Sequence, residues 1–195
     1  MTAPGPDRFT VERISAERFP ACWALRLRAL RDHPDAFGQP FDEVVKVSAA
    51  EALDQFRTRW DNGDNRTFGA FDPDGVPLGM TGVVREPRRK NRHRMSIWGV
   101  YVVPEARGRG ISSALLGRAL RHAREVPGVL QIHITAASHN TAAIRAYERA
   151  GFVRVGRLPR VDILPDGTSI DDDLMVLMLD GHPIAGCEET APPLG

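Results

Sequence analysis

YVVPEARGRGISSALLGRAL, residues 101–120, joins an apolar run to a helical one through a turn that carries two glycines. On its N-terminal side, MSIWGVYVV at 95–103 is too continuously apolar to alternate, which predicts a central strand covered on both faces. On its C-terminal side, Leu115, Ala119 and Ala123 recur at helical spacing while Arg118, Arg121 and Arg124 line the opposite, solvated side. A strand that opens into a helix through Gly108-x-Gly110 is suited to hold an anion. The backbone N–H groups of Arg107, Gly108, Arg109, Gly110, Ile111 and Ser112 can turn toward one point, the glycines allow close approach, and the helix dipole adds positive potential. A diphosphate fits such a junction. A dinucleotide fingerprint does not: these glycines follow a fourth strand rather than a first, and the region where its acidic residue belongs reads PGVLQIHI. A phosphate loop is excluded because no Gly-Lys-Ser/Thr follows.

Working outward, FTVERI (9–14) predicts a first strand, followed by a helix opened by Ser15 and carrying Trp23, Leu27 and Leu30 as far as His33-Pro34. A second helix is predicted over 48–60, with Leu53, Phe56 and Trp60 on one face and Asn62-Gly63 ending it. TFGAF (67–71) and VPLGMTGVV (76–84) flank Asp72-Pro73-Asp74-Gly75 and read as a hairpin. The basic loop REPRRKNRHR (85–94) precedes the central strand. After the helix, which starts at 108 and runs to about 125, come a strand LQIHITAA (130–137), a helix from 140 to 150, a strand FVRVG (152–156), a loop over 157–172 and a strand DLMVLML (173–179). The class this order predicts is α+β (mixed α/β): a twisted, mostly antiparallel mixed sheet of about seven strands flanked by about four helices.

The chain has 195 residues, 42% of them hydrophobic and 26% charged, as expected for one globular domain. Its domain is expected at 9–180, between Pro/Gly-bearing tails at 1–8 and 181–195 that carry few large apolar residues. A net charge of +1 gives no global field toward nucleic acid or an anionic membrane. The 24 arginines against two lysines, Lys46 and Lys90, carry little functional weight. Cys22 and Cys187 have neither disulfide-framework nor zinc-ligand spacing, so no metal is expected. MTAPGPDRF lacks the features of a signal peptide, and no run approaches the about 18 apolar residues of a membrane span, so a cytoplasmic location is expected.

The segment VYVVPEARGRGISSALL resembles the acyl-CoA-binding motif of the GCN5-related N-acetyltransferase (GNAT) superfamily, Q/R-x-x-G-x-G/A, with Arg107, Gly110 and Ser112 at its three defined positions. Ser112 departs from the small residue usual there. NTAAIRAYERAGF (140–152) is similar to the second family signature, in the expected order, and the likeness covers essentially all of 9–180. The resemblance implies an acetyl-CoA-dependent N-acetyltransferase whose central strand splays from its parallel neighbour, so that Val100 and Val102 bind the acetyl and pantetheine groups. It further implies that Asn140 contacts the cofactor and that Tyr147 is the general acid toward the departing thiolate. A phenol with pKa near about 10 is protonated at neutral pH and can serve a thiolate of about 8.5. By residue pattern alone, Asn140 is equally a helix cap and Tyr147 equally a core aromatic.

Many members carry a glutamate on the fourth strand at the place this chain fills with Ser96. Ser96 could position a water, and His93 could act as a base beside Glu86, but the expectation is that no single side chain is essential and that solvent takes the proton. The amine acceptor is open, as is the choice between monomer and homodimer. Two rival readings are a non-catalytic acyl-CoA-binding or regulatory module, and a nucleic-acid-binding protein using 85–94. That loop has five arginines but no interleaved aromatics, so no nucleic acid and no membrane partner is expected. Asp171, Asp172 and Asp173 could attract an amine, and Trp60 and Trp98 are core candidates before they are substrate walls.

Overall fold

The structure is a computed structural model and describes residues 8–184. The tail readings over 1–7 and 185–195 lie outside the described residues. Seven strands, β1 Thr10–Arg13, β2 Arg66–Phe71, β3 Pro77–Arg85, β4 Arg94–Val102, β5 Gln131–Ala137, β6 Val153–Ile163 and β7 Ser169–Met178, form one sheet in the order β1-β2-β3-β4-β5-β7-β6. Every neighbouring pair is antiparallel except β4 with β5. The mixed, mostly antiparallel sheet expected from the sequence is therefore the sheet observed. Five α-helices accompany it: α1 Phe19–Asp32, α2 Phe41–Val44, α3 Ala49–Gln55, α4 Ile111–Glu125 and α5 Thr141–Arg149.

Local chemistry accounts for these boundaries. The Asp72 carboxylate accepts from the N–H groups of Asp74 and Val76 and closes the β2–β3 turn, where Gly75 adopts φ +83°. Ser48 and Glu51 form a reciprocal capping box on α3. Asn140 accepts from Ala143 N–H at the start of α5, and Gly151 at φ +95° follows its end. Strand alternation then sorts the layers. Phe68, under the Arg118 guanidinium of α4, and Met80, beside Phe19 and Cys22 of α1, lie on opposite faces of the sheet. Leu115, Ala119 and Ala123 of α4 are fully buried, as their spacing predicts.

Three local expectations are corrected. α1 begins at Phe19 rather than near Ser15, with no side-chain cap at Arg18. The second helix stops being α-helical at Gln55 and continues as a wider π-type turn, Phe56–Trp60. The loop expected over 157–172 is mostly strand: β6 runs to Ile163 and β7 starts at Ser169. The sequence hid this because β6 is exposed along nearly its whole length, leaving no in-out alternation. Its register also shifts between Leu158 and Asp162, around Arg160 at φ +54°. Asp171 and Asp172 consequently lie inside β7 with Asp173, not in the loop before it.

Candidate active site

β4 and β5 pair at Arg94–Gln131, Met95–Ile132 and Ser96–His133, and at no later position, although β4 continues to Val102 and β5 to Ala137. The other edge of β4 stays attached to β3, but with a bulge. Met80 faces Tyr101 while Gly82 faces Trp98, so β4 holds one extra residue, and Gly99 takes φ +64° there. A bulge bends and twists its strand, which turns the end of β4 away from β5. The parting leaves backbone N–H and C=O groups on that edge of β4 without a ladder partner.

On one side of the parting lies a cavity of about 720 Å³, lined by Val100, Val102, Arg107, Gly108, Gly110, Ile111, Ser112, Asn140 and Tyr147 among others. Gly108 and Gly110 have φ +80° and +78°, and a Cβ on either would meet nothing within 4 Å. Here the turn needs the left-handed region and the open space allows a ligand to approach the backbone. The first intrahelical bond of α4 runs from Ala114 N–H to Gly110 C=O, so the N–H groups of Ile111, Ser112 and Ser113, all lining the cavity, have no partner within the helix. These donors and the helix dipole fit a diphosphate. The Arg107 amide does not join them, because it donates to Pro104 C=O; its guanidinium reaches Val102 C=O and lies 3.0 Å from His33 Nε2. Arg109 is half-buried and does not line the cavity.

A second cavity, about 420 Å³, lies beyond β4 between α1, the Phe56–Trp60 turn and the sheet. The two share five lining residues: Ala36, Phe37, Val100, Thr135 and Tyr147. Tyr147, only 6% exposed, thus stands where the cavities meet, and burial pushes its phenol well above the usual value, so it remains protonated. Trp60 and Trp98, their rings 5.1 Å apart, wall the second cavity.

Ser96 and His93 line neither cavity. The Ser96 hydroxyl donates to Glu86 at 3.0 Å, and His93 C=O accepts from Leu130 and Gln131 N–H where the β4–β5 ladder begins. At ~3.3 Å rise per residue, Ser96 sits ~13 Å along the strand from Val100. Among the described residues, no group of three or more His, Cys, Asp or Glu is placed to hold a metal ion.

The acetyltransferase (GNAT) family model matches residues 28–152, well over half of the sequence. The chain belongs to the GNAT family. The mycothiol acetyltransferase of Actinosynnema mirum is 31% identical to it over 156 residues, 77% of this chain and 42% of that protein. The spermidine N(1)-acetyltransferase of Vibrio cholerae is 28% identical over 98 residues, 50% of this chain and 54% of that protein. The chain thus spans about half the length of the curated relatives it matches. Among solved structures, a GNAT acetyltransferase from Streptococcus pneumoniae superposes with TM-score 0.78 at 20% identity, over 88% of this chain and 100% of that one. A putative acetyltransferase from Salmonella typhimurium, solved with its cofactor acetyl-CoA, gives 0.71 at 22% identity, covering 91% and 97%.

Within this GNAT chain, several residues at the site are not among those singled out from sequence. His33, which read only as a helix stop, and Asp35 line the larger cavity, and Asp35 lies 2.8 Å from His139. Tyr101, 5% exposed, lines it too, with a buried hydroxyl that has no partner among the described residues. Arg26 and Thr135 also went unnoticed: helical spacing alone cannot show that α1 packs across the parted strands.

Proposed function

We propose that this chain is an N-acetyltransferase domain, over 9–180, that moves the acetyl group of acetyl-CoA to a primary amine by direct attack. The observation that carries the reading is the parting of β4 from β5, with an anion-binding helix start on one side, a separate cavity on the other, and Tyr147 at their junction. Bound acetyl-CoA would supply an activated thioester carbonyl and a thiolate leaving group. The N–H groups of Ile111, Ser112 and Ser113 would hold its diphosphate, and the unpaired edge of β4 around Val100 and Val102 would align the pantetheine arm. A fixed backbone N–H on that edge stabilises the oxygen that gains charge during attack. Tyr147, protonated at neutral pH and standing at the junction, gives its proton to the leaving sulfur. The 420 Å³ cavity has no carboxylate or imidazole among its lining residues, so the acceptor loses its proton to water.

The same reading places the protein in the cytoplasm, as a monomer or homodimer without a nucleic-acid partner. In its support, no helix of the described residues is long and apolar enough to cross a membrane. Arg85 and Arg92 of the basic loop are engaged with Asp64. The test is release of free thiol from acetyl-CoA by purified protein across amines and peptides, with mass spectrometry of the product. Amine-dependent release is expected. A chain that binds acetyl-CoA and acetylates nothing is the non-catalytic module instead, and salt-sensitive RNA or DNA binding lost on neutralising Arg88, Arg89 and Arg92 favours the nucleic-acid reading.

A further inference from the structure

Among the described residues, Arg26 is the arginine that is buried. It is 7% exposed, its Nη2 donates to Gln39 Oε1 at 3.0 Å, and its guanidinium lies over the rings of Phe37 and Trp98 at 5.1 and 5.7 Å. It takes part in no ion pair among the described residues, whereas Arg13, Arg28, Arg85 and Arg157 each have a carboxylate. Its Nη1 is buried without a hydrogen-bond partner. The position of that nitrogen is informative: a Cβ on Gly99, at the β4 bulge, would lie 3.6 Å from it, and both residues line the 420 Å³ cavity. Burial lowers its pKa only to about 10, so the group is charged at neutral pH. A buried cation with a free donor and no counter-charge is costly unless something else completes it.

The surroundings indicate what that is. Arg59 is a second arginine on the same lining, and Trp98, whose indole packs over Gly82, supplies an aromatic wall. No carboxylate is among the residues that line this cavity; at its border Asp162 packs against Gly38. A cavity of this volume suits a small molecule. We propose that the acceptor is a small amine that also carries a carboxylate, such as a free amino acid, and that Arg26 seats the carboxylate beside the β4 bulge. The proposal rests on the acetyltransferase reading and narrows its substrate. The carboxylate meets Arg26 and Arg59, while the amine points to the Thr135–Tyr147 junction. A polyamine, the kind of acceptor named for the Vibrio cholerae relative, would set positive charge against two guanidiniums.

The test measures kcat/KM of the whole protein with acetyl-CoA for free amino acids, for the amide and the decarboxylated amine of each, and for spermidine. Losing a charge-assisted, forked hydrogen bond costs about 10- to 100-fold, so each free acid should exceed its amide by that factor, and spermidine should be worse still. Arg26→Gln should abolish the preference while leaving acetyl-CoA affinity unchanged, and Arg26→Lys, which keeps charge but loses the fork, should fall between. The comparison on the unaltered protein stands even if Arg26→Gln does not fold. Equal or better turnover of amides or spermidine, turnover of no carboxylate-bearing amine, or a preference that survives in folded Arg26→Gln overturns the proposal. A protein that fails to bind acetyl-CoA instead removes the acetyltransferase reading beneath it.

Discussion

Ser96 and His133 are the last residues at which β4 and β5 face one another in register. Everything that makes this sheet a candidate catalyst lies past that pair. Behind it, Arg94 to Ser96 are held on both edges; ahead of it, β4 keeps only its β3 partner and bends at Gly99, opening a gap bordered by Val100, Thr135 and Tyr147. The unpaired edge costs stability in the empty protein, which ligand hydrogen bonds offset.

Replacing Tyr147 by Phe should lower kcat by about 100- to 10,000-fold, the usual scale for a general acid, and leave acetyl-CoA affinity nearly unchanged. The packing lost is a single hydroxyl, since the ring would still lie 6.3 Å from Phe152. Steady-state kinetics with calorimetry separates the two effects. Unaltered turnover, with chemistry rate-limiting, would leave Tyr147 a packing residue.

Removal of the acceptor's proton should depend on no single side chain. Ser96→Ala, Glu86→Gln and His93→Gln should each retain most activity at about pH 8.5, where a sizeable fraction of a weakly basic amine is already free. The rising limb of kcat/KM should follow the acceptor's own pKa across a series. A limb fixed at one value and abolished by one of these substitutions would identify an enzyme base.

How far the sequence carried these inferences depended on whether a feature was local. The Gly108–Ser112 turn, the Asn140 cap and the central strand are encoded by neighbours in the chain, and all can be read directly. The 420 Å³ cavity is not: Arg26, Gln39, Trp60 and Trp98 come from four separate segments, and only the packing of α1 across the sheet unites them. β6 escaped for a different reason, being an exposed edge strand whose apolar residues Val155, Leu158, Val161 and Ile163 face solvent and leave no periodic signal.

Acid should weaken the protein through Asp173. Its carboxylate is fully buried and accepts from Ser138, Arg154 and Arg157, tying β6 and β7 to the loop that leads into α5. The Arg157 guanidinium, followed by Ser138 and Arg154, holds its pKa at about 2 against an ordinary 3.8. Because the folded value is the lower one, this stabilisation is complete above about pH 4 and fades as pH falls toward about 2. Asp173→Asn should lower stability at neutral pH by about 1–3 kcal/mol and flatten the acid limb of a denaturation-versus-pH curve. A variant with unchanged stability and the same acid limb would show that the cluster is not a tether.

The measurement that bears most directly on the whole reading is calorimetric titration of acetyl-CoA into the unaltered protein and into Gly110→Val, with Gly110→Ala as the milder companion and melting curves to verify folding. Gly110 has φ +78° with open space where a Cβ would stand. A side chain there both strains the turn and fills the approach to the α4 N–H groups. Binding to the unaltered protein, weakened about tenfold or more in a folded variant, is the expected result, since each charge-assisted hydrogen bond lost is worth about that factor. Undiminished affinity in folded Gly110→Val would contradict it and place any acetyl-CoA site elsewhere on the molecule.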